Sequence, residues 1–200
     1  MKMKTRNKAL LLTFGAVLLV AASVLGTLAW LTAETNEVKN IFTVGNINIT
    51  LTETTTDFKM VPGCTIAKDP KVTVLKDSEA CWLFVKIVES ENLDSFITYN
   101  VAGGWIALEG VESVYYRKVD AETTKDNVAY QVLMGEVDGE FKDGFVTVND
   151  TVTKADMDAL TTATQPTLTF TAYACQLYKS NGEEFAPAEA WTQVSTSTTP

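Results

Sequence analysis

The chain after residue 40 consists of short stretches in which apolar and polar residues alternate. In "GNINITLTE" the side chains of Ile47, Ile49 and Leu51 fall on one face of an extended backbone, and the polar residues fall on the other. This two-residue period predicts a half-buried strand. The apolar residues just upstream of Gly45 have the opposite parity, so we predict a β-bulge at Gly45 that turns both sets toward the core.

Further strand-like stretches follow at intervals of roughly 8–15 residues, with turn residues between them. "CWLFVKIVE" at 81–89 is apolar on both faces up to Lys86, which predicts a central strand covered on both sides. "KVTVL" at 71–75 precedes it by the length of a hairpin loop, so we predict that the two pair as a hairpin. "PTLTFTAYACQLY" at 166–178 is the longest late stretch and is also predicted to lie centrally. The other predicted strands are "FITYNV", "WIAL", "VYYRKV", "AYQVLMGEV" and "GFVTV", with turns that include Pro62-Gly63 and "DGEFKDG".

Two short helices interrupt the predicted strands. In "TKADMDALTT" Thr153 stands three residues before an acid, the capping-box pattern of a helix N-terminus. "APAEAW" places Pro187 in a first helical turn, where a missing N–H costs little. The many short strands and turns together predict an all-β fold, an antiparallel sandwich or barrel with two short helices.

The first 29 residues have the three parts of a secretory signal. Four basic residues precede an apolar run from Ala9 to Leu25, and small residues follow it. Thr27 and Ala29 suit the −3 and −1 positions of a cleavage site, so we predict an N-terminal signal helix that is removed after Ala29. The alternative is an uncleaved membrane anchor, because the apolar run is roughly long enough to span a bilayer. Both alternatives predict a secreted protein, held at the membrane only if the signal is retained.

Beyond the signal, we predict a mobile segment at 30–40, a single β-sandwich domain at 41–194 and a frayed tail at 195–200. The chain has 16 basic and 25 acidic residues, a net charge of −9. Removal of the four basic residues of the signal leaves 12 against 25, a net charge of −13. A surface this acidic repels nucleic acid and anionic lipid, so neither is a predicted partner.

The sequence contains no histidine, which removes most hydrolytic chemistry from consideration. Ser-His-Asp and Cys-His catalysis and the HExxH zinc site all require histidine. A hydrolase that uses two carboxylates needs none, but acidic residues are so frequent here that no pair stands out. We therefore expect a protein that is not an enzyme.

Three cysteines in an exported chain allow at most one internal disulfide. Cys81 and Cys175 fall within apolar strand-like stretches, where a buried free cysteine acts as a small apolar residue. Cys64 follows "VPG" in a predicted turn and is expected to carry an exposed thiol. A disulfide that involves Cys64 remains the alternative.

Two further patterns have both a structural and a functional interpretation. The acidic stretches "DGEFKDG" and "NDTVTKADMD" leave calcium open as a ligand, although neither has EF-hand spacing, and solvated loops explain them as well. No other cofactor is predicted. The tryptophans and tyrosines could form a sugar-binding platform, but their scatter along the chain favours ordinary packing.

The segment "GTLAWLTAETNEVKNIFTVGNINITLTE" resembles the start of the TasA/camelysin family, Gram-positive exported proteins whose signals are cut by a SipW-type signal peptidase. Trp30 and Leu31 stand at the aromatic position after the cleavage site, and Phe42 to Gly45 match the Phe-small-x-Gly segment before an alternating strand. "VPGCTIAKDPKVTV" and "LTFTAYACQ" resemble later segments of the family, whereas residues 90–165 show little resemblance. The resemblance implies a jelly-roll β-sandwich in the cell surface or biofilm matrix, in some members a fibre subunit. The metalloprotease activity ascribed to some relatives has no histidine to support it here.

These observations support three functions. The first is a matrix protein that self-associates or binds other matrix proteins, the second is a binding module that does not polymerise, and the third, least supported, is a metalloprotease. For the first we predict that the segment with Trp30, Leu31 and Val38 adds as a strand to a neighbouring subunit. The simpler alternative is a frayed terminus.

Overall fold

A computed structural model describes residues 46–54, 58–121 and 123–196. Several predictions concern residues outside these ranges: the signal helix, the cleavage site at Thr27 and Ala29, the donor segment with Trp30, Leu31 and Val38, the bulge at Gly45, and the end of the tail at 197–200.

The described residues form thirteen strands and three α-helices, with one turn of 3₁₀-helix at Thr123–Lys125. The strands are β1 (Ile49–Thr52), β2 (Thr65–Ala67), β3 (Lys71–Val74), β4 (Cys81–Glu89), β5 (Ile97–Thr98), β6 (Asn100–Val101), β7 (Ile106–Ala107), β8 (Val114–Val119), β9 (Val128–Gln131), β10 (Leu133–Val137), β11 (Glu140–Asp143), β12 (Phe145–Val148) and β13 (Leu168–Gln176). The helices are α1 (Leu93–Phe96), α2 (Lys154–Asp158) and α3 (Pro187–Ser195).

The strands pair in four antiparallel sheets, which confirms the all-β prediction. The largest has the order β13–β4–β8–β7, and the others have the orders β1–β3–β9, β11–β10–β6 and β2–β12–β5. Every pairing among them is antiparallel. Such sheets need only short turns between consecutive strands, which suits the frequent turn residues of this sequence.

Strand β4 lies at the centre of the largest sheet, as predicted, and both of its faces are buried. Leu83, Val85 and Ile87 point into the main core, where they meet residues of the smaller sheets. Trp82 and Phe84 point the other way, into a second cluster beneath α3. An uninterrupted apolar run is what a strand covered on both faces requires.

The predicted hairpin between β3 and β4 is wrong. Strand β3 pairs with β1 and β9, while β4 pairs with β13 and β8. The connection between them is held by distant residues: the Asp77 N–H donates to Thr124 O at 2.9 Å, and the Asn48 N–H donates to the Ser78 hydroxyl at 3.2 Å. These bonds hold the connection in a path that leads from the sheet of β3 to the sheet of β4. The length of the loop alone does not predict this path.

Two other strand predictions need correction. "AYQVLMGEV" is not one strand, because the chain changes sheet at buried Val132, whose N–H donates to Pro70 O at 3.0 Å. "DGEFKDG" is not only a turn, because strand β11 occupies most of it and pairs with β10. The turn itself consists of Asp138 and Gly139, which both have positive φ (56° and 82°), as a type I′ hairpin turn requires.

The prediction that residues 166–178 form a central strand is also wrong. Strand β13 is nine residues long but pairs only with β4 among the described residues, so it is an edge strand of the largest sheet. Its apolar residues pack against the cores on the two faces of the sheet. Burial of the two faces, rather than a neighbour on each side, explains its composition.

Both predicted helices are present. At the start of α2 the Thr153 hydroxyl accepts a bond from Asp156 N–H at 3.3 Å, and the Asp156 carboxylate accepts one from Thr153 N–H at 2.9 Å, which completes the capping box. Helix α3 begins with Pro187. Helix α1 was not predicted; its four residues are too few for a helical period, although Leu93 and Phe96 are buried.

Candidate functional site

Among the described residues, β13 is the longest strand at the edge of a sheet. The Ser90 N–H donates to Thr167 O at 3.0 Å, next to the first residue of the strand. The Leu177 N–H donates to Ala80 O at the same distance, just after the last residue. Backbone groups of a strand alternate between its two sides, so the odd-numbered residues face β4. The N–H and C=O groups of the other residues point away from β4: Leu168, Phe170, Ala172, Ala174 and Gln176.

Strand β13 lacks two of the common protections of an edge strand, charge and proline. Its sequence, "LTFTAYACQ", contains no charged residue and no proline. Proteins commonly blunt such edges with lysine, proline, a bulge or an inward-pointing charge, because an unpaired edge can bind another strand. The combination of length, regular pairing with β4 and absence of charge makes this edge suited to strand addition.

The opposite edge of the same sheet is protected. Strand β7 has only two residues, and β8 extends beyond it. The Leu108 N–H donates to Val114 O at 2.9 Å, so the even-numbered residues of β8, Lys118 included, direct their backbone to this edge. The Lys118 side chain forms an exposed ion pair with Glu184 at 2.6 Å. A short edge strand and a charge on the edge both oppose the addition of a strand.

Strand β1 packs against β13. We call the contact between these two strands the seam. Ile47 and Ile49 contact the main core from the β1 side, and Phe170 and Ala172 contact it from the β13 side. Leu51, which shares the predicted apolar face, is 37% exposed. Two edge strands with apolar inner faces therefore border this seam.

A groove of about 590 Å³ lies at the start of β13. Its lining combines apolar side chains with polar groups that include Lys68 and Gln165; the apolar side chains are Phe58, Met60, Leu93, Met157, Leu160 and Leu168. The groove continues the surface of the β13 edge, since Leu168 and Thr169 belong to both. Its size suffices for one or two large apolar side chains.

A partly buried ion pair lies at the groove, which Lys68 helps to line. The Lys68 ammonium is 2.8 Å from the Glu53 carboxylate, and their side chains are only 12% and 14% exposed. The same ammonium lies 4.7 Å from the ring centre of Phe58 and 5.4 Å from that of Phe170. Lys68 thus links Glu53, which follows β1, to the ring of Phe170 on β13 through an ion pair and a cation–π contact.

The three cysteines differ in exposure to solvent. Cys64 is exposed and follows a turn in which its N–H donates to Val61 O at 3.0 Å. Cys81 and Cys175 are buried and unpaired. They lie on adjacent strands but on opposite faces, Cys81 in the main core and Cys175 in the second cluster. Burial, with a contribution from nearby Cys175, raises the pKa of the Cys81 thiol to about 12. Burial also raises the pKa of the Cys175 thiol.

The large aromatic residues do not form one exposed platform. Trp82, Tyr116, Tyr173 and Trp191 belong to the second cluster, and Trp191 lies 5.4 Å from Phe84 and 5.1 Å from Tyr173 between ring centres. Tyr115 and Trp105 contact the main core instead. Among the described tryptophans and tyrosines, only Tyr178 is exposed, at 50%. Their arrangement agrees with packing.

The acidic stretches considered for calcium lie on β11, on α2 and in the adjoining loops. Across the part of the chain that the structure describes, no group of three or more cysteine, aspartate or glutamate side chains is placed to hold a metal ion. In the same part of the chain, no helix is long and apolar enough to cross a membrane.

Two features of the site were missed at the level of sequence. The first is the free edge of β13, for which the absence of charge in "LTFTAYACQ" was an available signal. The second is Arg117 of β8, whose side chain lies among Trp105 and Tyr130. A single arginine in the alternating stretch "VYYRKV" gives no sign that it points inward.

Comparison with known proteins adds no relative. No protein-family model, no curated protein and no solved structure matches the chain.

Proposed function

We propose that this chain is an exported structural protein of the cell surface or biofilm matrix that self-associates by strand addition at the edge of β13. The observation that carries the proposal is the nine-residue, uncharged edge strand, which is unpaired on one side among the described residues. An incoming strand could bond to the outward N–H and C=O groups of five residues. Backbone bonds of this kind give affinity, and pockets for alternate side chains give specificity.

The difference between the two edges of the sheet supports growth in one direction. A strand can add beside β13, whereas short β7 and charged Lys118 oppose addition on the other side. A contact between one edge and a different segment of the next subunit is head-to-tail. Contacts of that type do not close on themselves unless the rotation forms a ring, so they produce filaments.

The donor in this proposal is the segment at 30–40, "WLTAETNEVKN", of a second subunit. Eleven extended residues span roughly 36 Å, which exceeds the length of a nine-residue strand. The groove at the start of β13 could accept the side chain of Trp30 or Leu31 while the donor backbone follows the edge. Val38 would then lie toward the other end of β13.

The proposal also draws on the resemblance to the TasA/camelysin family. From this resemblance we infer that the four sheets form a jelly-roll sandwich and that a SipW-type signal peptidase cleaves the chain after Ala29. We also infer that the protein self-associates or binds other matrix proteins. It gives the protein no catalytic role and needs no calcium or other cofactor. A binding module that does not polymerise is the alternative, and the experiments below separate the two.

A pair of alanine-to-proline substitutions tests the edge. Ala172→Pro removes an N–H that points away from β4, so the bonds within the sheet remain while strand addition loses a donor. Ala129→Pro is the matched control, because it removes the outward N–H of exposed Ala129 on β9, another edge strand. In electron micrographs of the chain that starts at Trp30, we expect filaments from the unsubstituted protein and from Ala129→Pro but not from Ala172→Pro.

Normal filaments from correctly folded Ala172→Pro would exclude the β13 edge as the acceptor. Absence of filaments from the unsubstituted chain would favour the binding module.

A chain that starts at Ile41 tests the donor, and we expect unchanged circular dichroism with no filaments. Filaments of normal length from that truncated chain would exclude the 30–40 segment as the donor.

A further inference from the structure

The Arg117 side chain extends from β8 of the largest sheet toward the aromatic rings of Trp105 and Tyr130. Arg117 pairs in register with Leu83 of β4, whose side chain points into the main core. The guanidinium carbon lies 3.8 Å from the ring centre of Tyr130 on β9 and 5.3 Å from that of Trp105. Trp105 is itself fixed, because its indole N–H donates to Gln131 O at 2.7 Å. One of the two rings beside the guanidinium is therefore held by a hydrogen bond to β9.

The guanidinium has no acidic partner within the described chain. Its Nε atom is buried and has no hydrogen-bond partner. None of the ion pairs among the described residues involves Arg117, although several lysines are paired. Burial lowers the pKa of the Arg117 guanidinium, which shows that its charge is partly removed from water. A desolvated charge without an acceptor is unfavourable, so a complementary anion would be stabilising there.

Gly104 lies close to this charge. Gly104 has a φ of +84°, and a Cβ placed on it would lie 2.7 Å from Nη2 of Arg117. A Cβ placed on Gly103 would meet nothing within 4 Å, so Gly103 does not crowd the guanidinium. Of the guanidinium nitrogens, only Nε is both buried and unpaired, so a small ligand would reach the charge through Nη1 and Nη2 beside Gly104.

We propose that Arg117 is the recognition residue of a carboxylate-binding site, with Trp105 and Tyr130 as its walls and Gly104 as its rim. The planar guanidinium presents paired N–H donors that match the two oxygens of a carboxylate. A carboxylate carries one negative charge and neutralises the single positive charge. A phosphate dianion would leave excess negative charge in a chain that already has a net charge of −9. The carboxylate belongs either to a free organic acid or to an acidic side chain of a second copy of this chain.

The test uses nuclear magnetic resonance of the ¹⁵N-labelled protein. Sodium acetate is titrated against sodium chloride at equal ionic strength, and the indole N–H of Trp105 and the amide of Gly104 are followed. We expect a saturable shift with acetate that chloride does not produce. If a second copy supplies the carboxylate, the same resonances will also shift with protein concentration when acetate is absent, and acetate will reverse that shift.

Four variants localise the response. Arg117→Gln should weaken acetate binding by roughly 10- to 100-fold, the loss expected for charge-assisted hydrogen bonds. Gly104→Ala should also abolish the response, because its methyl group occupies the position beside Nη2. Gly103→Ala and Lys118→Gln are the matched controls and should respond as the unsubstituted protein does.

The proposal is overturned by either of two results. One is that acetate and chloride give the same unsaturable shifts and protein concentration has no effect. The other is that acetate binds folded Arg117→Gln or Gly104→Ala as tightly as the unsubstituted protein. Because the site is distinct from the β13 edge, filament formation by the same variants does not affect the outcome.

Discussion

The carboxylate of Asp69 should stabilise the fold in a pH-dependent way. It accepts hydrogen bonds from Thr54 N–H at 2.9 Å, from the Thr54 hydroxyl at 2.7 Å and from the Lys71 ammonium at 2.9 Å. These bonds, with the Thr54 backbone first, lower the pKa of Asp69 from 3.8 to about 2. The bonds hold Thr54, two residues beyond the end of β1, against the start of β3 at Lys71. The carboxylate therefore helps to keep β1 in place at the seam beside β13.

The size of the effect follows from the pKa difference. Each pKa unit corresponds to about 1.4 kcal/mol, so the full shift sets an upper limit of about 2.4 kcal/mol. The Asp69 side chain is 20% exposed, and solvent screening of a surface group reduces this to about 1 kcal/mol. Because the pKa is lower in the folded protein, the stabilisation is present above about pH 4. It is lost as the pH falls from about 4 toward 2.

Urea unfolding, followed by tryptophan fluorescence, measures this contribution. Asp69→Asn should lower the free energy of unfolding by about 1 kcal/mol at pH 6, because the carboxylate charge that strengthens the bonds from Thr54 and Lys71 is lost. At pH 2 the difference from the unsubstituted protein should largely disappear. Asp143→Asn, at an exposed position on β11, is the control and should change the free energy by less than about 0.5 kcal/mol at either pH. A difference for Asp69→Asn that is equally large at both pH values would refute the argument.

Three further outcomes are expected. Gly135→Ala should destabilise the fold by about 2 kcal/mol in thermal or urea unfolding, since the added Cβ would lie 2.6 Å from the Phe145 carbonyl oxygen; unchanged stability would contradict this close approach. Trp191→Ala should cost about 3 kcal/mol and release α3 from the sheet, detected as a lower unfolding midpoint; a loss below about 1 kcal/mol would show that the helix is not held by this ring. A thiol reagent should label Cys64 in the native protein and spare the two buried cysteines until the protein unfolds, as mass spectrometry can determine; equal labelling of all three in the native state would contradict the burial.

Local patterns in the sequence determined several elements directly. The apolar run at 81–89 predicted a strand covered on both faces, and β4 occupies these residues with a cluster on each side. The capping box at Thr153 and the proline at 187 marked the starts of α2 and α3. These predictions succeeded because each depends on contacts within a few residues or on the burial of a continuous stretch.

Strand pairing was decided only by the tertiary structure. The loop after β3 has the length of a hairpin, yet Thr124 and Asn48 bond to it and direct the chain into another sheet. Val132 is an apolar residue between Gln131 and Leu133, and nothing in this local sequence shows that the chain changes sheet there. The partner of a strand depends on residues far away in the chain, so alternation can predict a strand without predicting its neighbours.

The candidate sites divide in the same way. The absence of charge in "LTFTAYACQ" is a property of the sequence, but it acquires meaning only because β13 lies at an edge; the same residues in the centre of a sheet would present no free backbone. Arg117 depends still more on the fold, since Tyr130 and Trp105 come from other strands and loops. The sequence therefore determined the extended, buried run at 81–89 and the starts of two helices. The tertiary structure decided which edge stays open and where a partly buried charge lacks an acidic partner, because both depend on contacts between segments that are distant in the chain.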